Sequence, residues 1–188
     1  MIDQLLEYDT KLFIFLNNLG SPTWDNFWLM ITNKFLFGSF LGVLLLFLFY
    51  KKFGLKTMLL LVVVVALMIT FTDQVTNLFK HSFKRPRPCG EEALSGQIRF
   101  VAMRCGRYGF FSGHASNSMA VAIFGGLFLR PYYKKLIYFL VLISFVVAYS
   151  RIYVGVHYPL DVICGLIFGV ISGFTFYKLG QYLIKRFV

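Results

Sequence analysis

Ser150–Asp161 reads SRIYVGVHYPLD, and it sets an arginine, a histidine and an aspartate in an otherwise uncharged segment. Ionisable side chains are expensive near hydrocarbon, so their presence in an apolar chain marks a polar task. The chain around them is apolar: of 188 residues 58% are hydrophobic and 14% charged, with a mean hydropathy of +0.70. A soluble globule carries less apolar and more charged material, so the sequence reads as an integral membrane protein with a single domain over residues 1–188.

The formal net charge is +11, from 19 Lys and Arg against 8 Asp and Glu. Those bases are clustered between apolar runs, and no polar domain is present to present them to a nucleic acid, so nucleic acid is excluded as a partner. MIDQLLEYDTKLF has no basic stretch ahead of a compact apolar core and no small-residue cleavage site, and LIKRFV has no lipidation box. Anchoring is therefore expected to come from the chain's own helices.

Five apolar runs follow one another at 35–50, 57–79, 116–129, 136–150 and 162–177. Several fall short of the roughly 20 residues that cross a bilayer, but mixed flanking turns such as HASNS complete them inside a bundle. The predicted fold is all-α, a polytopic helical bundle of five spans. Gly125, Gly126, Gly165, Gly169 and Gly173 are placed for close helix contact. Ahead of the first span, Leu5, Leu6, Leu12, Phe13, Phe15 and Leu16 are interrupted by Glu7, Asp9 and Lys11, a pattern that suits a helix along the interface. The turn GSPTWDN and the short apolar piece FWLMIT come next. If residues 3–19 cross instead, the spans number six.

Lys51, Lys52 and Lys56, then Arg130, Lys134 and Lys135, then Lys178, Lys185 and Arg186 all fall on one side, assigned as cytoplasmic. The opposite side holds residues 80–112 and 151–161, which are basic too. Three polar clusters meet there: KHSFKRPRP at Lys80–Pro88, FSGHASNS at Phe111–Ser118, and the segment quoted above. Arginine forks match phosphate oxygens, lysine adds a compact charge, and the Ser112–Gly113 amides at a helix start form an anion site. Phosphoryl transfer further needs an in-line nucleophile and a proton donor for the departing oxygen. His157 has Asp161 one helical turn on to orient the ring and stabilise an imidazolium, which makes it the nucleophile candidate. His114, with no carboxylate nearby in sequence, is the general-acid candidate.

Lys80, then Arg87-Pro88 after six intervening residues, Ser112-Gly113-His114, and Ser150-Arg151 with His157 and Asp161 resemble the three motifs of the type 2 phosphatidic acid phosphatase superfamily. The resemblance covers residues 80–161. It implies a helical-bundle membrane phosphatase that needs no metal or other cofactor and works through a phosphohistidine on His157. Lys80, Arg87, Arg151, Ser112 and the Gly113 amide would bind phosphate, and His114 would protonate the leaving group. The family usually has proline before the serine of the second motif, where this chain has Phe111. Altered loop stiffness or substrate preference is expected from that change, with the chemistry retained.

Other polar residues read as structural. His81 is expected at the interface, and Lys84 and Arg85 at lipid headgroups. The cysteines lack metal-ligand spacing, and an oxidising compartment would permit a Cys89–Cys105 disulfide that spacing alone leaves open. Asp73 is either a polar link between helices or near the external end. The substrate expected first is undecaprenyl diphosphate, since the compact build looks like small bacterial polyprenyl diphosphate phosphatases. Phosphatidylglycerol phosphate, phosphatidic acid and lipid A phosphate are the alternatives, with hydrolysis at the outer face of a bacterial cytoplasmic membrane. Lipid-to-lipid phosphotransfer and a non-enzymatic lipid-binding or transport role are the rival functions.

Overall fold

A computed structural model describes residues 1–33 and 36–188. Among them every regular element is helical: α1 (Ile2–Asn18), α2 (Pro22–Thr32), α3 (Leu36–Phe83), α4 (Gly113–Leu129), α5 (Leu136–Tyr153) and α6 (Pro159–Phe187), with short 3₁₀ turns at Pro88–Gly90 and Glu92–Leu94. Three of these are long and apolar enough to cross a membrane, at Leu41–Phe83, Leu136–Tyr153 and Pro159–Phe187. The expected count of five spans is therefore met only in its coarser form, because the first two apolar runs lie within α3 and α4 is 17 residues long. Phe35, the expected start of the first run, lies outside the described residues.

Those two runs do not form one straight rod. Gly54 leaves helical geometry at φ 76 and ψ 175, in the left-handed region that glycine enters without a Cβ penalty. Gly38 and Ile69 line one cavity, although a continuous helix would separate them by about 46 Å. α3 is accordingly a hairpin whose arms, through Leu45, Phe49, Leu61, Val64 and Met68, share a core cluster with Ala120, Phe124 and Phe128 of α4. At its turn, the Lys52 Nζ lies 5.1 Å from the ring centre of Tyr132, in the α4–α5 connection.

α4 packs along α6 through small residues. An added Cβ at Gly165, Gly169 or Gly173 would lie 2.6, 2.5 and 2.6 Å from the carbonyl oxygens of Ser112, Ser116 and Ala120. Lipid is as apolar as leucine, so such pairing depends on close van der Waals contact, which these glycines permit. The contact pins the start of α4, where the second polar cluster lies, against the start of α6.

α1 is inverted relative to a soluble amphipathic helix. It buries Asp9, Phe13 and Asn17, while Leu5, Tyr8 and Phe15 are exposed. Its exposed face mixes these apolar side chains with a Glu7–Lys11 ion pair at 2.6 Å, while its buried polar residues bond to the protein. The Asn17 amide donates to the carbonyls of Arg99, Ile152 and Tyr153 at 3.0, 3.1 and 2.9 Å. α1 is docked on the bundle, because its buried polar groups find partners there, and it is not among the helices long and apolar enough to cross a membrane, which agrees with a helix along the interface. Gly20, Ser21 and Pro22 then end α1 and start α2, with Ser21 extended as N-cap and proline in the first turn.

Candidate active site

All three polar clusters lie at one end of the bundle. Lys80 is in the last turn of α3, Ser112 caps α4, Gly113 and His114 open it, Arg151 is in the last turn of α5, and His157 and Asp161 bracket the start of α6. Helix ends leave unpaired N–H groups at the start of α4, which is an anion-binding feature. The Ser112 N–H donates to the Asp161 carbonyl at 2.9 Å, tying the second motif to the third.

His157 is buried, with Nδ1 3.3 Å from Asp161 Oδ2. The same carboxylate oxygen accepts the Tyr158 N–H at 3.1 Å. The ring N–H therefore sits on Nδ1 and donates to Asp161, leaving the Nε2 lone pair for chemistry. Burial holds the imidazole well below its ordinary value of 6.5, and the positive charges of Arg87, Arg151 and Lys80 push the same way. A neutral imidazole ringed by cations is chemically able to act as a nucleophile toward an anion held among them.

The cations are individually placed. Arg87 Nε donates to the Tyr108 carbonyl at 3.0 Å, just outside the loop closed by the Cys89–Cys105 disulfide. Lys80 Nζ lies 3.8 Å from where a Gly113 Cβ would stand. Arg151 donates from Nη1 to the Thr32 hydroxyl, and its Nε is buried with no partner among the described residues, as is the Ser112 hydroxyl. Two buried polar groups left unsatisfied, one at the start of α4 and one at the end of α5, would cost free energy unless an oxyanion takes them up. His114 Nε2 lies 3.2 Å from the Thr32 carbonyl, so the general-acid candidate and Arg151 meet at the same residue of α2. A cavity of about 570 Å³, lined largely by apolar side chains including Ile31, Leu45, Phe49 and Leu140, reaches His114 and Asn117.

The family model of the PAP2 superfamily matches residues 56–185. The chain belongs to the PAP2 superfamily. A lipid A 4'-phosphatase of Bacteroides thetaiotaomicron is 37% identical to it over 197 residues, spanning 99% of this chain and 83% of that protein. The undecaprenyl-diphosphatase BcrC of Bacillus subtilis is 34% identical over 79 residues, 42% of this chain and 38% of its own length. The crystal structure of Aquifex aeolicus LpxE superimposes with a TM-score of 0.69 at 27% identity, over 90% of this chain and 94% of that one. The protein is a bacterial membrane lipid phosphatase of PAP2 type.

Several parts of this PAP2 site escape the three motifs. Thr32 has no motif signal at all, being the last residue of the short apolar piece FWLMIT. Arg85 is not the headgroup contact expected of it: its Nη1 donates to Asp161 Oδ1 at 2.8 Å and its Nη2 to Asp9 Oδ2 at 2.6 Å. Asp73 accepts the Asn117 amide at 2.8 Å, which makes it a link between α3 and α4. Phe111, in place of the family's proline, is buried against Phe79 and Phe168 with ring centres 5.1 Å from each. Aromatic packing there holds the entry to α4 where proline would otherwise stiffen it.

Proposed function

We propose that the protein hydrolyses the 4'-phosphate of a lipid A-type glycolipid at the outer face of the cytoplasmic membrane, through a phosphohistidine on His157. The observation that carries the chemistry is the Nδ1 contact to Asp161, which leaves Nε2 as the attacking atom. Nε2 bonds to phosphorus as the ester P–O bond breaks. Lys80, Arg87, Arg151, the Ser112 hydroxyl and the Gly113 amide take the charge on the equatorial oxygens. His114 gives its proton to the departing sugar oxygen, then takes one from the water that cleaves the phosphohistidine and releases inorganic phosphate. Asp161 stabilises the positive ring while it carries the phosphoryl group.

The choice of lipid rests on the near full-length likeness to a lipid A 4'-phosphatase, against a match of less than half the chain to an undecaprenyl diphosphatase. Undecaprenyl diphosphate, expected first from the compact build, becomes the main competitor. The apolar cavity beside His114 would take hydrocarbon while the phosphate sits among the cations. Two arms of α3 with α4, α5 and α6 would make five spans, with the site end outside. A disulfide at that end supports the placement, since disulfides persist in oxidising compartments.

The test is phosphate release by the purified full-length protein in detergent with excess chelator, across lipid A, undecaprenyl diphosphate, phosphatidylglycerol phosphate and phosphatidic acid. Lipid A should be fastest, and His157→Ala should lose about four orders of magnitude or more. Faster release from another lipid would replace the substrate, phosphate found on a second lipid would indicate transfer, and activity surviving in His157→Ala would reject the mechanism.

A further inference from the structure

Asp161, the residue that orients His157, is held from its far side by a chain that begins in the N-terminal helix. Its Oδ2 serves His157 and the Tyr158 N–H, while its Oδ1 accepts from Arg85 Nη1 at 2.8 Å. The other end of that guanidinium donates to Asp9 Oδ2 at 2.6 Å. Asp9 is fixed in turn, since its Oδ1 accepts the Leu160 N–H at 2.9 Å. The guanidinium also lies over the Tyr158 ring, 4.1 Å from its centre. Asp9 and Asp161 are buried, with 4% and 0% exposure, so one arginine between two buried carboxylates is an arrangement with little freedom to rearrange.

We propose that Arg85 and Asp9 are positioning residues for the phosphatase reaction, acting through Asp161 to keep the His157 proton on Nδ1. The inference rests on His157 being the nucleophile. A buried carboxylate without its cationic partner takes up a proton more readily. A protonated Asp161 would donate to Nδ1, move the ring proton to Nε2, and remove the attacking lone pair. Arg85 prevents this by stabilising the carboxylate, and Asp9 keeps Arg85 turned toward it. The N-terminal helix is then part of the active site, although it carries none of the three motifs and lies outside the matched family region.

The charged and titratable groups around His157 and Asp161 are Asp9 from α1, Lys80 from α3, Arg85, Arg87 and Glu91 from the loop after it, Arg151 from α5, and Tyr158, Asp161 and Cys164 at the start of α6. Lys80, Arg87 and Arg151 are assigned to phosphate, so removing Arg85 leaves the binding cations in place. That separates a positioning role from a binding role.

The experiment measures kcat, KM and the pH profile of kcat/KM for Asp9→Asn, Arg85→Gln and Arg85→Lys in the full-length protein, on whichever lipid the wild type hydrolyses fastest. Arg85→Gln should lower kcat about a hundredfold and Asp9→Asn about tenfold, the range seen when the partner orienting a functional histidine is removed. KM should stay within about threefold, the acid limb of the Arg85→Gln profile should move to higher pH, and Arg85→Lys should recover part of kcat. An unmoved acid limb in folded Asp9→Asn overturns the proposal whatever happens to kcat, because a purely structural loss does not change which group titrates. Asn at position 9 keeps an acceptor for the Leu160 N–H, so this variant decides the matter if Arg85→Gln does not fold. Activity that survives in His157→Ala rejects the underlying mechanism instead, and the two failures are told apart by that control.

Discussion

Arg151 ends α5 and Lys134 and Lys135 precede its start, so one helix carries cations at both ends. Arg151 is half-buried, is bonded to Thr32 and acts electrostatically on His157. Lys134 and Lys135 are exposed. A helix favours positive charge at its C-terminus and resists it at its N-terminus, so Arg151 is placed with the helix field and the lysines against it. The lysines are tolerated because water solvates them, and the sequence reading gives them a topological task, with no part in the proposed site. The difference teaches that charge and clustering do not distinguish a binding cation from a topological one. Burial and a fixed partner do.

The sharpest way to break that comparison is to remove charge at each end. Arg151→Ala should lower kcat/KM about a hundredfold, the cost typical of losing one donor to a developing oxyanion. Lys134→Ala combined with Lys135→Ala should leave it within about twofold, since exposed charges that far away are screened. Equal losses at the two ends, measured on the same lipid, would show that net charge near the membrane sets the rate and that Arg151 has no special place.

The motifs made Arg151, His157, Asp161, Lys80, Arg87 and Ser112 legible in sequence, because each lies next to a helix end that its own apolar run locates. Helix connectivity then brings those ends together without further information. The hairpin at Gly54 was readable only as a charged gap between two apolar runs, and the break that separates them needs backbone geometry. Asp9, Arg85 and Thr32 were not legible for a different reason. They belong to segments whose periodicity points elsewhere: α1 reads as interfacial because its apolar positions outnumber its buried polar ones, and the inversion that turns Asp9 inward follows from a partner 76 residues away. The Cys89–Cys105 pairing stood open on spacing, and folding of the loop around Arg87 closes it.

Thr32 offers a smaller and more selective probe, because it supports the buried cation without contributing charge. Its hydroxyl accepts from Arg151, while its carbonyl faces His114. Thr32→Val removes the first contact and keeps the second. A hydrogen bond to a charged group contributes roughly 1.5 kcal/mol or more, so kcat/KM should fall about tenfold. Steady-state kinetics beside Thr32→Ser, which retains the hydroxyl and should stay near wild type, checks this. If Thr32→Val matches Arg151→Ala in severity, α2 contributes more to the site than one acceptor.

The smallest expected effect is on pH dependence, and it separates near charges from far ones. Burial first, and then Arg87, Arg151 and Lys80, hold the His157 imidazole below its ordinary 6.5. The nucleophile must be unprotonated, so at pH 7 it is ready, and activity is lost only as pH falls through the depressed value. The acid limb of kcat/KM, referred to the dianionic form of the substrate, should therefore lie below 6.5. Arg87→Gln removes one of the nearby positive charges and should move that limb upward, whatever it does to the absolute rate. Lys134→Ala should not move it, because the 18 residues of α5 place about 27 Å of helix between that charge and the site. A limb at or above 6.5 in the wild type, or one that shifts equally with Arg87 and Lys134, would mean that His157 is wetter than its surroundings allow and that the nucleophile is not set by the cations around it.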